Sequence, residues 1–176
     1  PGCIVTDVGS TKGWLQSQME ELLADSGILF IGSHPVAGSE KTGIAAGDAD
    51  LYDGAQVVVC PSTHWAEPEE AAFSSVENMW RNTGAEVKRF GAAFHDELLA
   101  STSHLPHVVS AALATIISDC INARSGLHYD KSELTAMCGT GYRSMTRLAL
   151  GSEEVWRDII ATNREPISEE LRRMAV

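Results

Sequence analysis

Ile28-Leu29-Phe30-Ile31-Gly32, followed at once by Ser33-His34-Pro35-Val36-Ala37-Gly38-Ser39-Glu40, decides the fold. Four large apolar residues closed by glycine read as a buried strand, and strands of this kind sit in sheets covered by helices. On the N-terminal side, Cys3-Ile4-Val5-Thr6 is a short β-branched run ending at Asp7. Ser10 fits a helix N-cap, and Trp14, Leu15, Met19, Leu22 and Leu23 then keep a helical period up to Gly27. On the C-terminal side, Gln56-Val57-Val58-Val59-Cys60 is a strand stopped by Pro61. Pro68 suits the first turn of a helix whose apolar face is Phe73, Val76, Met79 and Trp80. Gly84 ends that helix and Glu86 to Phe90 gives a last strand. Strand and helix alternate, which predicts an α/β architecture with a largely parallel sheet.

Beyond residue 91 the strand signals stop. Residues 92–121 are rich in Ala, Leu and Val and read as helix interrupted at Pro106. Further helical segments are predicted around 132–137, 142–149 and 153–162, with a helix start in the tail from Ser168. The chain is therefore α/β up to about residue 90 and all-α from 91 to 176. No Gly-x-Gly-x-x-Gly follows any strand, and Gly139-Thr140-Gly141 lies between helical segments, the wrong context for a pyrophosphate turn.

Composition narrows the function. At 176 residues with 44% hydrophobic content and a mean hydropathy of -0.06, the chain has the make-up of a soluble domain. A formal charge of -11 and a pI near 4.9 oppose nucleic-acid binding and docking on anionic membranes. A carboxylate substrate would then be held by local cations, not drawn in by the global field. No uninterrupted apolar run approaches the roughly 18 residues that span a bilayer. The N-terminus lacks the charged region and cleavage site of a signal peptide. Cys3, Cys60, Cys120 and Cys138 show no Cys-x-x-Cys spacing, as expected of reduced thiols in the cytoplasm.

Several residues carry possible chemistry. His34 lies just past a buried strand, where open α/β sheets place ligands, and could act as general base or simply bond a loop carbonyl. Ser10 could satisfy backbone N–H groups or face a substrate oxygen. His104 and His107, three apart, share a helix face without a carboxylate at metal-ligand spacing. His64 and His128 read as surface residues. Arg147 stands among Met145, Leu148 and Leu150, so it needs an anion. Glu40, Glu133, Asp158 or a substrate carboxylate could supply it.

Asp7-Val8-Gly9-Ser10-Thr11-Lys12, the His34 to Gly43 segment, His95-Asp96, Ser103-His104-Leu105-Pro106-His107 and Thr146-Arg147 occur in the order found in prephenate dehydrogenases. The chain closely resembles that family, the prephenate/arogenate dehydrogenases of tyrosine biosynthesis, over nearly its whole length. The resemblance implies a partial Rossmann-like nucleotide-binding domain at 1–90, lacking its Gly-rich half, and a helical substrate and dimerisation domain at 91–176. It implies oxidation of the C4 hydroxyl of prephenate or arogenate, hydride passing to NAD or NADP while the ring carboxylate leaves as CO2. His34 is then the base and Ser10 its partner on the same oxygen. Arg147 is the carboxylate clamp, with Ser103, His107, Glu40 and Trp156 around the substrate and Asp7 and Ser10 toward the cofactor. Ser144 replaces an acid seen in some members. A homodimer is implied, and the glycine-rich turn is expected upstream of Pro1. The competing expectation is a non-catalytic dimeric ligand-binding module, or an inactive fragment of such an enzyme.

Overall fold

The computed structural model describes residues 3–38, 43–62, 67–126 and 129–175. Strands β1 (Ile4–Thr6), β2 (Leu29–Val36), β3 (Gln56–Cys60) and β4 (Glu86–Arg89) form one sheet in that order. Helix α1 (Gly13–Leu23) joins β1 to β2, and α2 (Glu67–Arg81) joins β3 to β4. Both of these pairs are parallel, as a crossover helix requires. The middle pair corrects the expectation of a largely parallel sheet: β2 and β3 run antiparallel, from Gly32 opposite Cys60 to Val36 opposite Gln56. The connection explains it. Its described residues hold one short 3-10 turn, Ile44–Ala46, which cannot carry the chain back across the sheet.

β2 also outruns its sequence signal, since His34 and Pro35 belong to the strand and are buried in it. β1 pairs only with Leu29 to Ile31 and then turns away at Asp7. The Ser33 N–H points to the vacated side, where it donates to Asp7 Oδ1 at 3.0 Å. Strand alternation places the nitrogen of Pro35 on that same side, so its missing N–H breaks no ladder bond.

The core between sheet and α2 is Ile31, Val57, Val59, Ala72, Phe73, Val76, Trp80 and Ala85. Glu77, on α2 and almost wholly buried, is clamped by Arg89 of β4 through Nε and Nη2, both at 2.8 Å. The Arg89 guanidinium also lies 4.3 Å from the Phe73 ring centroid. Those hydrogen bonds hold the Glu77 carboxyl below its ordinary range against the opposing effect of burial.

The all-α part begins with a continuous 33-residue helix, Ala92–Arg124. It comprises α3 (Ala92–Leu99), a π turn (Ala100–His104) and α4 (Leu105–Arg124). Pro106 does not interrupt it, contrary to the sequence expectation. A proline cannot donate to the carbonyl four residues back and its ring crowds that carbonyl, here Thr102. The π turn just ahead widens the helix and accommodates both defects. The helix is long and apolar enough to cross a membrane by length and composition, with an 18-residue window of mean hydropathy 1.3. It holds no unbroken apolar run of that length, because His95, Asp96, His104, His107 and Asp119 punctuate it, the first three of them buried. Helices α5 (Lys131–Ala136), α6 (Thr140–Thr146), α7 (Glu153–Thr162) and α8 (Arg164–Met174) follow, with a 3-10 turn at Arg147–Leu150. α8 starts four residues before the predicted Ser168.

Arg89→Ala should destabilise the chain by about 3 kcal/mol, because it leaves the Glu77 carboxylate buried with Arg81 as a lone, weaker partner at 3.2 Å. Urea unfolding of the variant against the parent measures it.

Candidate active site

The site is built where the sheet meets the long helix. α3 delivers His95 and Asp96 side by side, both buried, under the end of β2 that carries His34. His34 Nδ1 stands 2.8 Å from His95 Nε2, and His95 Nδ1 stands 2.8 Å from Asp96 Oδ1. The Asp96 carboxylate also accepts the backbone N–H groups of Lys12 and Gly13, each at 2.8 Å. These open α1, so the cap of that helix comes from a residue more than eighty positions away. This corrects the assignment of Ser10. The N-cap is Lys12, and Ser10 sits in the preceding bend, half-buried, its hydroxyl not used as a cap.

Lys12 is itself buried, and its ammonium pairs with Asp7. The Asp7 carboxylate further accepts from the Gly9 N–H at 2.8 Å and from Ser33 N–H. Both its oxygens are thus engaged, which makes Asp7 the anchor of the β1–α1 turn. At the end of the π turn, His104 is buried with Nδ1 2.9 Å from Asn163 Nδ2, and the same Nδ2 donates to the Asp96 carbonyl at 2.8 Å. Thr11 and Thr162 add a hydroxyl contact at 2.8 Å between the β1–α1 turn and α7. One polar network therefore ties β1, α1, β2, α3, the π turn and the α7–α8 junction.

Burial sets the electrostatics. It pushes His34 down to about 3, helped by His95, Lys12 and His104 and opposed by Asp96. It pushes His104 down to about 4, with Asp96 opposing. Burial works against the Asp96 anion, but the bonds from His95, Lys12 and Gly13 outweigh it and hold this carboxyl below its usual range. His34 is thus a neutral imidazole at neutral pH, with an ionisation well below the ordinary histidine range. Its Nε2 has no partner among the described residues, and 8% of the residue stays exposed.

The other expected residues form a second locus. His107 stacks on Trp156 with ring centroids 3.7 Å apart. Both line a cavity of about 380 Å³ together with Val108, Ala111, Leu148 and Ile160. Gly151 is required there, because a Cβ would stand 2.6 Å from Trp156 Nε1. His107 is lowered by burial, against the Leu148 carbonyl, and its Nδ1 makes no hydrogen bond of good geometry. His104 links the two loci, its ring 6.0 Å from Trp156. Ser103 is half-buried in the π turn.

Arg147 requires a correction. It is exposed, as are Met145 and Leu150, so no buried aliphatic face surrounds it. It makes no ion pair among the described residues. Glu133 instead closes the capping box of α5, and Asp158 lies 3.5 Å from Arg157. Arg147 opens the turn whose next two residues, Leu148 and Ala149, line the cavity. Glu40, His64 and His128 lie outside the described residues.

Lys12 and His95-Asp96 stood out only within the motifs of the family resemblance, without a role, and Asn163 carried no distinguishing sequence signal. Among the described residues no group of His, Cys, Asp and Glu is arranged to hold a metal ion.

An α/β layer and a helical layer that share a buried, neutral histidine define an enzyme-like, two-part architecture. Comparison with known proteins specifies it. The profile of "Prephenate dehydrogenase, nucleotide-binding domain" matches residues 1–89, and that of "Prephenate dehydrogenase, dimerization domain" matches 91–175. The chain belongs to the prephenate dehydrogenase family. It is 29% identical to the prephenate dehydrogenase of Bacillus subtilis over 93% of this chain and 41% of that protein. It is 30% identical to the cyclohexadienyl dehydrogenase of Zymomonas mobilis over 91% of this chain and 51% of that protein. The crystal structure of Aquifex aeolicus prephenate dehydrogenase with hydroxyphenyl propionate and NAD+ superposes with a TM-score of 0.82 at 31% identity. That superposition covers 98% of this chain and 56% of the other. The chain thus spans about half the length of the curated relatives it matches.

Acid should weaken this fold earlier than its carboxylates alone would. The unfolded chain takes up protons at its histidines near pH 6.5, while folded His34 and His104 resist until about 3 and 4. Between those limits the unfolded state binds more protons, so stability falls as pH drops from about 6.5 toward 4. Urea midpoints measured across that window check it, and His104→Asn should flatten the slope.

Proposed function

We propose that this chain forms the substrate-side and dimerisation portion of an NAD(P)-dependent prephenate or arogenate dehydrogenase, with a partial nucleotide-binding domain at 1–90 and a helical domain at 91–176. The observation that carries the reading is the neutral His34, its Nδ1 engaged by His95 and its Nε2 without a partner among the described residues. That is the state in which an imidazole takes a proton.

In this reading the substrate's C4 hydroxyl approaches His34 Nε2, which accepts its proton as the C4–H bond breaks. Ser10, in the bend ahead of α1, hydrogen-bonds the same oxygen. When bound, NAD(P)+ supplies the acceptor for the C4 hydride. The bond to the ring carboxylate then breaks, its electron pair passes into the ring, and CO2 leaves. Arg147, free of any protein ion pair among the described residues, clamps a substrate carboxylate, while Ser103, His107 and Trp156 shape the wall behind it; a role for Glu40 rests on the family resemblance alone.

The fit to the dinucleotide is partial. Its phosphates need free backbone N–H groups at a glycine-rich helix start. The two N–H groups that open α1 are already held by Asp96. The described residues fit the reacting end of the cofactor and not its phosphate end.

Homodimerisation follows from the long helix. α4 has 20 residues and buries only Ser110 within the chain, while Ile116 is 63% exposed. A second copy covering this face satisfies the hydrophobic effect, in keeping with the name of the dimerization-domain profile. The four cysteines are free, which suits a reducing cytoplasm.

Full-length protein assayed with prephenate and arogenate by NAD(P)H formation tests the reading. His34→Asn should lower kcat about 10²–10⁴-fold with KM little changed. The acid limb of kcat/KM that belongs to His34 should lie well below pH 6.5, in line with its lowered ionisation, and should vanish in the variant. Arg147→Ala should act mainly on KM, raising it roughly 10- to 150-fold, the equivalent of about 1.5–3 kcal/mol for a charge-assisted contact. Near-normal turnover in His34→Asn with an unaltered profile would sink the assignment.

A further inference from the structure

Asp96 is the fixed point from which the proton positions of this network can be read. Two backbone N–H groups, of Lys12 and Gly13, donate to its carboxylate, and a backbone N–H cannot accept. The carboxylate is an acceptor in those bonds, and its held-down ionisation keeps it an acceptor toward His95 as well. His95 Nδ1 therefore donates to Asp96 Oδ1. For His95 as a neutral imidazole, one nitrogen carries the proton and the other the lone pair, so its Nε2 accepts. The group facing it at 2.8 Å is His34 Nδ1, which must then donate.

We propose that His95 and Asp96 are positioning residues that hold His34 in the tautomer with its proton on Nδ1, leaving the lone pair on Nε2. An unconstrained histidine side chain favours the other tautomer, with the proton on Nε2. In that form the nitrogen without a protein partner would be a donor, unable to take a proton from a substrate. The relay inverts the preference. Once Nε2 takes a proton, the Nδ1–H bond to His95 stays as it was, so no hydrogen bond has to be remade. The catalytic meaning rests on the proposed function, whereas the tautomer is a property of this chain alone.

The surroundings agree. Burial and the Lys12 ammonium from the β1–α1 turn disfavour a second proton on His34, as a charge on His95 or His104 would, and Asp96 favours it. From β3 the residue opposite is Val58, which carries no charge. The Asn163 amide repeats the logic. Its Nδ2 donates to the Asp96 carbonyl, which can only accept, so the same NH2 group faces His104 Nδ1 and places the His104 proton on Nε2. Asp96 thus fixes two histidines, one through its carboxylate and one through its carbonyl.

Long-range ¹H–¹⁵N correlation of the histidine rings in this chain near pH 7 reads the tautomer directly. The expected pattern is a protonated Nδ1 and a bare Nε2 at His34. A protonated Nε2 there would overturn the proposal whatever the enzyme assays show. His95→Phe keeps the ring and removes the acceptor, so His34 should shift toward the Nε2–H tautomer. His95→Gln keeps an acceptor in reach of Nδ1–H and should hold the original pattern. In full-length enzyme, His95→Phe should lower kcat about 10- to 100-fold at nearly constant KM, less than loss of the base itself, with substantial recovery in His95→Gln. An unchanged His34 tautomer in His95→Phe, or an active His95→Phe enzyme with unaltered kcat and pH profile, would refute the positioning role. If full-length protein shows no dehydrogenase activity, the functional reading fails and the wild-type spectrum still decides the tautomer.

Discussion

The Asp96 carboxylate is the interaction on which the rest of this structure depends. It is buried, which disfavours its charge, and it stays ionised because three N–H donors converge on it. Two of them are the opening N–H groups of α1, which would otherwise be unsatisfied in a dry junction. The third belongs to His95. The same group therefore ends a helix of the α/β part, pins that part to the long helix and sets the polarity of a histidine chain. An anion at a helix N-terminus is favourable through the helix dipole as well. Structure and site use one charge, so they cannot be separated by mutation of that residue alone.

The long helix does two unlike jobs along its length. Its first third, through His104, buries polar side chains against the sheet and α8, and there the π turn brings His104 onto Asn163. The remainder, α4, is apolar and buries a single residue within the chain. A helix that is sealed at one end and bare at the other makes the site's wall continuous with a surface that needs a partner. The His107–Trp156 stack lies on this boundary, packed against α4 on one side and open to the cavity on the other.

Much of this was legible in the sequence, for reasons that are local. Val57 to Cys60 and Phe73, Val76 and Trp80 announce a strand and a helix face by period alone, and the structure buries them together. His34 was legible as a candidate because it follows a buried strand, where open α/β sheets place ligands, with a bond to a loop carbonyl as an equal alternative. What failed was non-local. Ser10 has the side chain of an N-cap, but Asp96 reaches α1 from 84 positions beyond Lys12 and supplies the cap instead. Arg147 sits among apolar letters, yet the 3-10 turn leaves it and its neighbours exposed. The antiparallel turn of β2 into β3 depends on how a loop folds back, which strand periodicity does not encode. Lys12 and Asn163 are ordinary letters whose importance comes only from what the fold places beside them.

If His34 is the base of the proposed reaction, its electrostatics pose a problem that the proposed anionic substrate resolves. A general base works best with an ionisation near the operating pH, and here burial and Lys12 hold it near 3. The overall charge of -11 should favour a protonated histidine, but charges beyond a Debye length of about 8–10 Å are screened at the surface while the Lys12 ammonium and the lost hydration are not. An uncharged substrate would meet a base too weak for its task. A substrate bearing carboxylates, placed against His34 in a site closed to water, adds negative charge beside the ring and raises its proton affinity. The base is then weak in the empty site, where protonation would serve nothing, and strengthens as the anion arrives. That coupling has the sign of the proposed anionic substrate, and Arg147, exposed and without an ion pair among the described residues, suits the same charge on the helical side.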